Sequence, residues 1–339
     1  MKKTQMALAA VALVASTGAM AQVTISGSYD IGVGSFNTGA KPGTNNIGVQ
    51  EGATNGGSFF TLSGSDDLGG MKASFTLQTG FDATTGTMSN GGNIPGSGTQ
   101  SVFNRQANVA LSGGFGTVTL GNQLSTYIAG AAGTVLPGSI FGAFDVSAIA
   151  AQDAAQGGGN NGGFFTRNAV TYSTPDLGGA SLSVQKQIQG NDPANYDATA
   201  AAGSISLGDV KASAGYLDRT DRKSWTVGAS APLGPLTANL RYTESDPTGA
   251  VKASTQVRGG VSYALTDSTT LTVQHATNSG SLKGDLTSIG AIYSLSKATS
   301  VYAHYSGASA GWNASAYGAA AASATKGGSS FAVGVATSF

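Results

Sequence analysis

The sequence predicts an all-β fold: a transmembrane antiparallel β-barrel of about sixteen strands, with short periplasmic turns and long extracellular loops. Three observations lead to this class. Apolar and polar side chains alternate with period two along most of the chain, as in strands with one apolar and one polar face. Only 10% of the 339 residues are charged, against about 25% in an average protein. The chain also begins with an export signal and ends on an aromatic residue, Phe339.

The first 21 residues are predicted to be a secretory signal peptide. Lys2 and Lys3 precede an apolar run over residues 6–15, and Ala19-Met20-Ala21 supplies an A-x-A cleavage site. The apolar run is shorter than the roughly 20 residues that a membrane-spanning helix needs. We therefore expect residues 1–21 to be removed and residues 22–339 to form a single barrel domain.

Composition excludes several kinds of site. The chain has no Cys, so it lacks disulfides, Cys-ligated zinc, iron–sulfur clusters and a thiol nucleophile, and we expect no cofactor. It has 17 basic and 17 acidic residues, so no basic surface for nucleic acid is expected either. A soluble β-sandwich would also give alternating strands, but its outer faces would need far more charge than this chain has.

The strands follow one another with short and long connections in turn. Alternating segments begin near residues 23, 57, 71, 102, 116, 165, 180, 201, 210, 224, 236, 255, 269, 286, 300 and 329. Short turns include residues 66–70 and 175–179, whereas long stretches rich in Gly, Ser, Asn and Ala cover residues 37–56, 83–101, 125–164 and 308–328. Short turns at one rim and long loops at the other are typical of outer-membrane barrels.

The last strand is expected to close the barrel. Phe331, Val333, Val335 and Phe339 share one face of this strand, and small or polar residues occupy the other. Pairing with the first strand, near Val23, would remove the exposed sheet edges that a lipid environment cannot satisfy. One face of each strand then meets lipid, where Lys or Arg costs about 2 to 4 kcal/mol at the midplane.

Motifs spread over almost the whole mature chain add a family resemblance. They are GSDDLGGMKA at residues 64–73, RQANVAL at 105–111, GTVTLG at 116–121, NAVTY at 168–172, YSLSK at 293–297 and the terminal Phe339. In their order and spacing they resemble the general bacterial porins, in particular the sixteen-stranded trimeric porins of the β-proteobacterial type.

This resemblance implies a water-filled channel for the passive diffusion of ions and small hydrophilic solutes across the outer membrane of a Gram-negative cell. It implies a homotrimer with one pore per subunit, surrounded by membrane lipid and lipopolysaccharide. It also implies that the loop of residues 125–164 folds inward and constricts the pore, with acidic residues opposite basic ones. That loop carries Asp145 and Asp153 as its only charges, and it is too long for a simple connector.

The residues expected at the constriction follow from the resemblance and from parity, that is, from whether a position in the alternating pattern faces the lumen or the lipid. The family usually has basic residues at the positions of Phe59 and Asn122, so two cations are missing. Arg167, Arg241 and Arg258 have inward parity and are expected to form the basic side, opposite Asp145. Weak selectivity, slightly anionic, is the expectation.

Three further charges have positions that the alternation predicts. Asp30 and Lys72 are expected to face the lumen, with Lys72 near the rim. Arg105 has lipid-face parity, and we expect it to contact another subunit or to mark a break in register.

Two other functions remain open. A structural or adhesive barrel would bind a partner through its loops while its lumen is blocked. A barrel phospholipase would need a base on the lipid-facing side, where His275 is expected, with Asp267 and Ser268 in the turn before it. A Ser-His-Asp site is defined by geometry, and no nucleophile motif marks a partner for His275, so no enzyme activity is expected. His304 is expected to face inward.

Overall fold

The structure is a computed structural model that describes residues 23–36, 47–51, 57–88, 102–134, 165–188, 197–220, 222–247, 253–280, 283–309 and 327–339. These ranges contain seventeen strands and one helix. The strands are β1 (Thr24–Phe36), β2 (Ile47–Glu51), β3 (Ser58–Asp67), β4 (Met71–Phe81), β5 (Gln106–Gly113), β6 (Gly116–Leu124), β7 (Phe165–Ser173), β8 (Ala180–Gln187), β9 (Ala198–Leu207), β10 (Val210–Arg219), β11 (Arg222–Leu233), β12 (Leu236–Pro247), β13 (Ser254–Thr266), β14 (Thr269–Gly280), β15 (Gly284–Ser294), β16 (Thr299–Ala308) and β17 (Gly328–Ser338), and helix α1 spans Thr126–Ala132. Among the described residues, no helix has the length and apolar character needed to cross a membrane.

The strands form a closed barrel with sixteen positions around its circumference. Each strand from β3 to β17 pairs antiparallel with the next in sequence, and β17 pairs with β1. β2 and β3 share one position, because β1 pairs with β3 through Thr24 to Ser28 and with β2 through Ile31 to Ser35. The prediction of an antiparallel sixteen-stranded barrel is confirmed.

The seam between the first and last strands is continuous. Ser28 lies opposite Ser338, and Phe36 lies opposite Ser330. At the C-terminus the amide of Gly27 donates to the carbonyl of Phe339 at 2.9 Å, and the Phe339 amide donates to the Gly27 carbonyl at 3.1 Å. These bonds leave no open edge at the seam, as a membrane-spanning sheet requires.

The two rims of the barrel differ. The rim that carries the short turns, here called the turn rim, has the repeated Asp-Leu-Gly-Gly sequence at two of its turns. In the first, the Asp67 carboxylate accepts the Gly69 amide at 2.9 Å, and Gly69 and Gly70 have φ of +72° and +102°. Such dihedrals suit glycine, which explains the sequence of these turns.

The opposite rim, here called the loop rim, carries the longer connections but is less uniform than expected. Residues 220 and 221 alone join β10 to β11, and residues 281–283 join β14 to β15. The expected alternation of short turns and long loops fails at these two connections. The predicted loop of residues 37–56 also contains a strand, β2, which continues the pairing of β1.

Side chains divide into an apolar outer face and a polar inner face. On β12, for example, Leu240 is 61% exposed on the outside, whereas the neighbouring Arg241 is 2% exposed on the inside. Aromatic residues lie on the outer face near both ends of the strands: Tyr216, Trp225, Tyr242, Tyr305 and Phe331 near the loop rim, and Tyr172, Tyr263, Tyr293 and Phe339 near the turn rim. Two aromatic girdles around an apolar band are characteristic of barrels embedded in the outer membrane.

One strand starts later than the sequence predicts. The alternation begins near residue 102, but β5 begins only at Gln106. At Asn104 the side chain, and not the main chain, bonds to the neighbouring strand. The Gly80 amide donates to Asn104 Oδ1 at 2.8 Å, and Asn104 Nδ2 donates to the Gly80 carbonyl at 3.1 Å. The strand ladder therefore stops at Asn104, and parity does not carry over to the residue that follows, Arg105.

Candidate functional site

Helix α1 lies inside the barrel, directly after β6. Its Tyr127 and Ile128 form a buried apolar cluster with Ala198, Ala200 and Leu217 of the inner wall. Glycines on both sides allow this contact: a Cβ on Gly130 would lie 2.6 Å from the Ala214 carbonyl oxygen, and one on Gly215 would lie 2.9 Å from the Tyr127 carbonyl oxygen. Backbone of the helix thus approaches backbone of the wall.

The segment after α1 is tied to the wall by Arg241. One terminal nitrogen of this guanidinium, Nη1, donates to Thr226 Oγ1 at 2.8 Å. The other, Nη2, donates to Ser213 Oγ at 2.9 Å and to Thr134 Oγ1. Asn239 Nδ2 also donates to the Thr134 carbonyl at 2.9 Å. The described start of the loop, through Thr134, is therefore bound to the lumen side of β10 to β12.

Four arginines line the same part of the wall as two directly opposed pairs. Arg219 of β10 is the register partner of Arg222 of β11, and Arg241 of β12 is the register partner of Arg258 of β13. All four side chains are buried inside the barrel, with exposed fractions of 2% to 5%. We call these four residues the arginine wall. The wall therefore concentrates positive charge on one part of the inner face.

A second cluster, with one cation, lies on the other side of the lumen and consists of Arg105, Phe59, Phe165 and Gln78. Arg105 precedes β5, the fourth position around the barrel, and Arg258 lies on β13, the twelfth of sixteen. The Arg105 Cζ atom is 4.5 Å from the ring centroid of Phe59 and 5.0 Å from that of Phe165. Its Nε donates to Gln78 Oε1 at 2.8 Å.

Arg105 has lipid-face parity in the sequence, but its side chain lies on the lumen side. Of the two expectations for it, a subunit contact or a break in register, the structure supports the break. Phe59 is the register partner of Ser28 on the inner face, and Gln78 donates to the inner Thr61 at 2.8 Å. Because the side chain of Arg105 contacts Phe59 and Gln78, it extends to the lumen side. The interruption at Asn104 is the reason that parity failed.

Asn122 lies next to this cluster without joining it. In the register of β5 and β6 it lies opposite Ala107, on the same outward-facing side of β6 as Leu120. Its side-chain amide donates to the Arg105 carbonyl at 3.0 Å, and its own carbonyl accepts Asn108 Nδ2 at 3.0 Å. Asn122 therefore supports the main chain that carries Arg105.

An acidic group faces the lumen at the seam. Asp30 is fully buried and accepts a 2.8 Å hydrogen bond from the hydroxyl of Tyr302, which reaches from β16 across β17 to β1. A side chain at Gly334 would collide with that hydroxyl, so glycine is required there. The ring of His304, also on the inner face, lies 5.3 Å from the Tyr302 ring.

Comparison with known proteins agrees with this architecture. A family model described as Gram-negative porin matches residues 7–309. The chain belongs to the Gram-negative porin family. This porin is 29% identical over 336 residues to outer membrane porin protein 32 of Delftia acidovorans, covering 89% of this chain and 88% of that one. It is 28% identical over 261 residues to an outer membrane porin protein of Bordetella pertussis, covering 72% of this chain and 60% of that one.

Solved structures give the same fold. The porin barrel superposes on an anion-selective porin from Comamonas acidovorans with a TM-score of 0.74 at 24% identity, covering 94% of this chain and 100% of that one. It superposes on the trimer form of OmpT, an outer membrane protein of Vibrio cholerae, with a TM-score of 0.64 at 14% identity, covering 94% of this chain and 99% of that one. This porin is therefore an outer-membrane protein that forms a channel for the passive diffusion of ions and small hydrophilic solutes.

The remaining predicted site residues of the porin have varied positions. Arg167 and Asn168 lie in a bulge, since Gly121 pairs with Ala169 but Gln123 pairs with Thr166. The extra residue in β7, with φ of +48° at Asn168, makes simple parity inapplicable to Arg167. Lys72 is exposed at the turn rim, opposite Asp67. Asp145 and Asp153 lie outside the described residues.

Sequence reasoning passed over Arg219 and Arg222. Arg222 begins a strand in which Ser224, Thr226 and Gly228 alternate with exposed residues, so parity alone could have placed it inside. Arg219 gave a weaker signal, because its inward neighbour Leu217 is apolar. Leu217 is inward because it packs on α1, a contact that no local pattern in β10 reveals.

His275 has contacts unlike those of a catalytic base. It lies on the outer face, where Nδ1 is 2.9 Å from Thr287 Oγ1 and Nε2 is 3.3 Å from Thr277 Oγ1. Ser268 is seven residues away along β14, which corresponds to about 23 Å at the rise of a strand. The structure does not bring His275, Asp267 and Ser268 together.

Proposed function

We propose that this porin conducts anions in preference to cations. The observation that carries the proposal is the arginine wall: two pairs of like charges face each other directly across neighbouring strands. Four guanidinium groups on one part of the wall raise the local positive potential and so attract anions into the lumen. Rings and clusters of charged side chains set the ion preference of channels in this way.

The balance of lumen charges supports the same sign. Arg105 adds a fifth cation on the opposite side, and Asp30 is the one buried acidic side chain within the described ranges. The loop of residues 125–164 contributes at most Asp145 and Asp153. Among these named residues alone, five arginines stand against three aspartates. The proposal goes beyond weak selectivity, because Arg105, Arg219 and Arg222 supply charge that the positions of Phe59 and Asn122 lack.

Reversal potentials in planar bilayers under a KCl gradient test this proposal. The native porin should be more permeable to chloride than to potassium, and the double variant Arg241→Gln with Arg258→Gln should be less so. Lys223→Gln is the control, because it removes one cation from the outer face. There Lys223 Nζ lies 3.4 Å from Asp218 Oδ2. A native channel that prefers potassium would overturn the proposal.

The proposed channel is constricted by residues 125–164, with Asp145 across from the arginine wall. The position of α1 against the inner wall, at the start of this segment, supports the inward course. Three such subunits form a homotrimer with one pore each, within membrane lipid and lipopolysaccharide, as the trimer form of the similar Vibrio cholerae protein suggests. The assembly is tested by single insertions into a planar bilayer, each of which should raise the conductance in three equal increments, one per pore.

Export by a signal peptide is part of the same proposal. Residues 1–21 would be cleaved, leaving Gln22 as the first residue. Mass determination of the porin purified from outer membranes should give the mass of residues 22–339. The mass of the full chain would contradict this.

A structural or adhesive barrel with a blocked lumen is not favoured, because the family and the named relatives are porins. Conductance is the direct check. Ion current through the purified native protein is expected, and its absence with correctly folded barrels would contradict the channel.

A further inference from the structure

We propose that Phe59, Arg105 and Phe165 form a subsite for aromatic carboxylates on the side of the lumen opposite the arginine wall. The inference rests on the proposed anion preference, because it names a class of organic anion that the channel favours. It depends on the contact of Arg105 with two aromatic rings, whereas the anion preference depends mainly on the arginine wall, so the two proposals can fail separately.

The geometry holds a guanidinium group against aromatic rings inside an aqueous channel. Arg105 Cζ is 4.5 Å from the Phe59 centroid and 5.0 Å from the Phe165 centroid, distances at which a cation is attracted to a ring face. Gln78 Oε1 accepts a hydrogen bond from Arg105 Nε at 2.8 Å, and Gln78 Nε2 donates one to Thr61 Oγ1. These two bonds fix the guanidinium from the side. The guanidinium is therefore positioned before a solute arrives.

The two rings have different roles. Phe165 is 6% exposed and forms the buried support of the cluster. Phe59 and Arg105 are only half-buried, so both residues remain partly accessible. An apolar aromatic surface and a cation are thus presented side by side.

Aromatic carboxylates match both parts of this surface. A planar carboxylate binds guanidinium N–H groups through charge-assisted hydrogen bonds. An aryl ring attached to it can pack against Phe59 in an offset or tilted arrangement. Chloride and acetate use the cation alone, and a neutral aromatic alcohol uses the ring alone. The subsite therefore discriminates between organic anions by their apolar part.

Current block in planar bilayers tests the proposal. Benzoate, acetate and benzyl alcohol are added separately to the native porin carrying a KCl current. Benzoate should reduce the current at a concentration about tenfold lower than acetate does. Benzyl alcohol should have little effect at the same concentrations.

Variants separate the ring from the charge. Phe59→Leu should reduce the benzoate preference to about twofold while Phe59→Tyr, which keeps a ring, should retain it. Arg105→Gln should weaken block by both carboxylates. Arg222→Gln is the matched control, because it removes a cation from the arginine wall and should leave the ratio of benzoate to acetate unchanged.

The outcomes distinguish the two proposals. Equal block of the native porin by benzoate and acetate would overturn the subsite, whatever the reversal potential. So would an unchanged ratio in Phe59→Leu, provided that the variant conducts and therefore folds. A native reversal potential that favours potassium would refute the anion preference, and the ratio of benzoate to acetate would still be measurable.

Discussion

Replacing Gly130 by alanine tests whether α1 is seated on the barrel wall. The added Cβ would lie 2.6 Å from the Ala214 carbonyl oxygen and 2.9 Å from both Gly215 Cα and Ala202 Cβ. Contacts of a Cβ are ordinary only from 3.4 Å, so the helix must move by about 0.8 Å, the difference between 2.6 and 3.4 Å. All three obstacles belong to the wall, so the movement is directed into the lumen.

The cost follows from two opposing terms. Overpacking of this kind costs about 1 to 3 kcal/mol, and alanine in place of glycine inside a helix returns about 1 kcal/mol. We expect a net loss of about 0 to 2 kcal/mol in the free energy of unfolding. The contacts of Thr134 with Arg241 and Asn239, close to the C-terminal end of the helix, would lengthen as the helix moves.

Single-channel conductance and unfolding by heat are the measurements. Gly130→Ala should lower the conductance, because the helix moves into the lumen, and should not raise the unfolding temperature. Gly48→Ala is the matched control, since a Cβ on Gly48 has no neighbour within 4 Å. Identical conductance and unfolding temperature in the two variants would show that α1 does not rest on the wall.

Three other substitutions have defined expectations. Tyr302→Phe removes the 2.8 Å bond to the buried Asp30 and should lower the free energy of unfolding in urea by about 1 to 3 kcal/mol, the range for removing one partner of a buried polar group; an unchanged urea midpoint would contradict the role of Tyr302 at the seam. Asn104→Ala leaves both main-chain groups of Gly80 without their partner and should cost about 1 to 3 kcal/mol in the same assay, whereas a cost near zero would mean that water replaces Asn104. Lys186→Gln removes an exposed ion pair with Asp197 and should cost less than about 1 kcal/mol; a larger loss would show that this pair has a structural role.

The strands were predictable because lipid and lumen impose opposite requirements on alternate side chains. All sixteen predicted starts lie within four residues of a strand start in the structure. The largest difference is at β5, where Asn104 ends the ladder by a side-chain contact. β2 was missed because five residues within a Gly- and Asn-rich stretch are too few to establish alternation.

The site was less predictable, because each error arose where the period of two is interrupted. Parity is a valid guide for Arg241 and Arg258, which lie in the middle of regular strands. It does not apply to Arg167, beside a bulge, and it fails for Arg105, beyond the end of a strand. The depth of a residue in the pore depends on contacts such as that of Thr134 with Arg241, which joins residues 107 positions apart.

Phe59 shows why a missing cation at one position is a poor measure of lumen charge. Parity correctly indicated a lumen-facing side chain in the register, and the absence of a basic residue suggested a weaker field. The structure places the Arg105 guanidinium over that same ring. A cation–π contact is worth about 0.5 to 2 kcal/mol, so the aromatic residue stabilises a charge that comes from the end of another strand. Ion preference thus depends on the positions of the guanidinium groups in the lumen. Phe59 carries no charge but contributes by holding one of them.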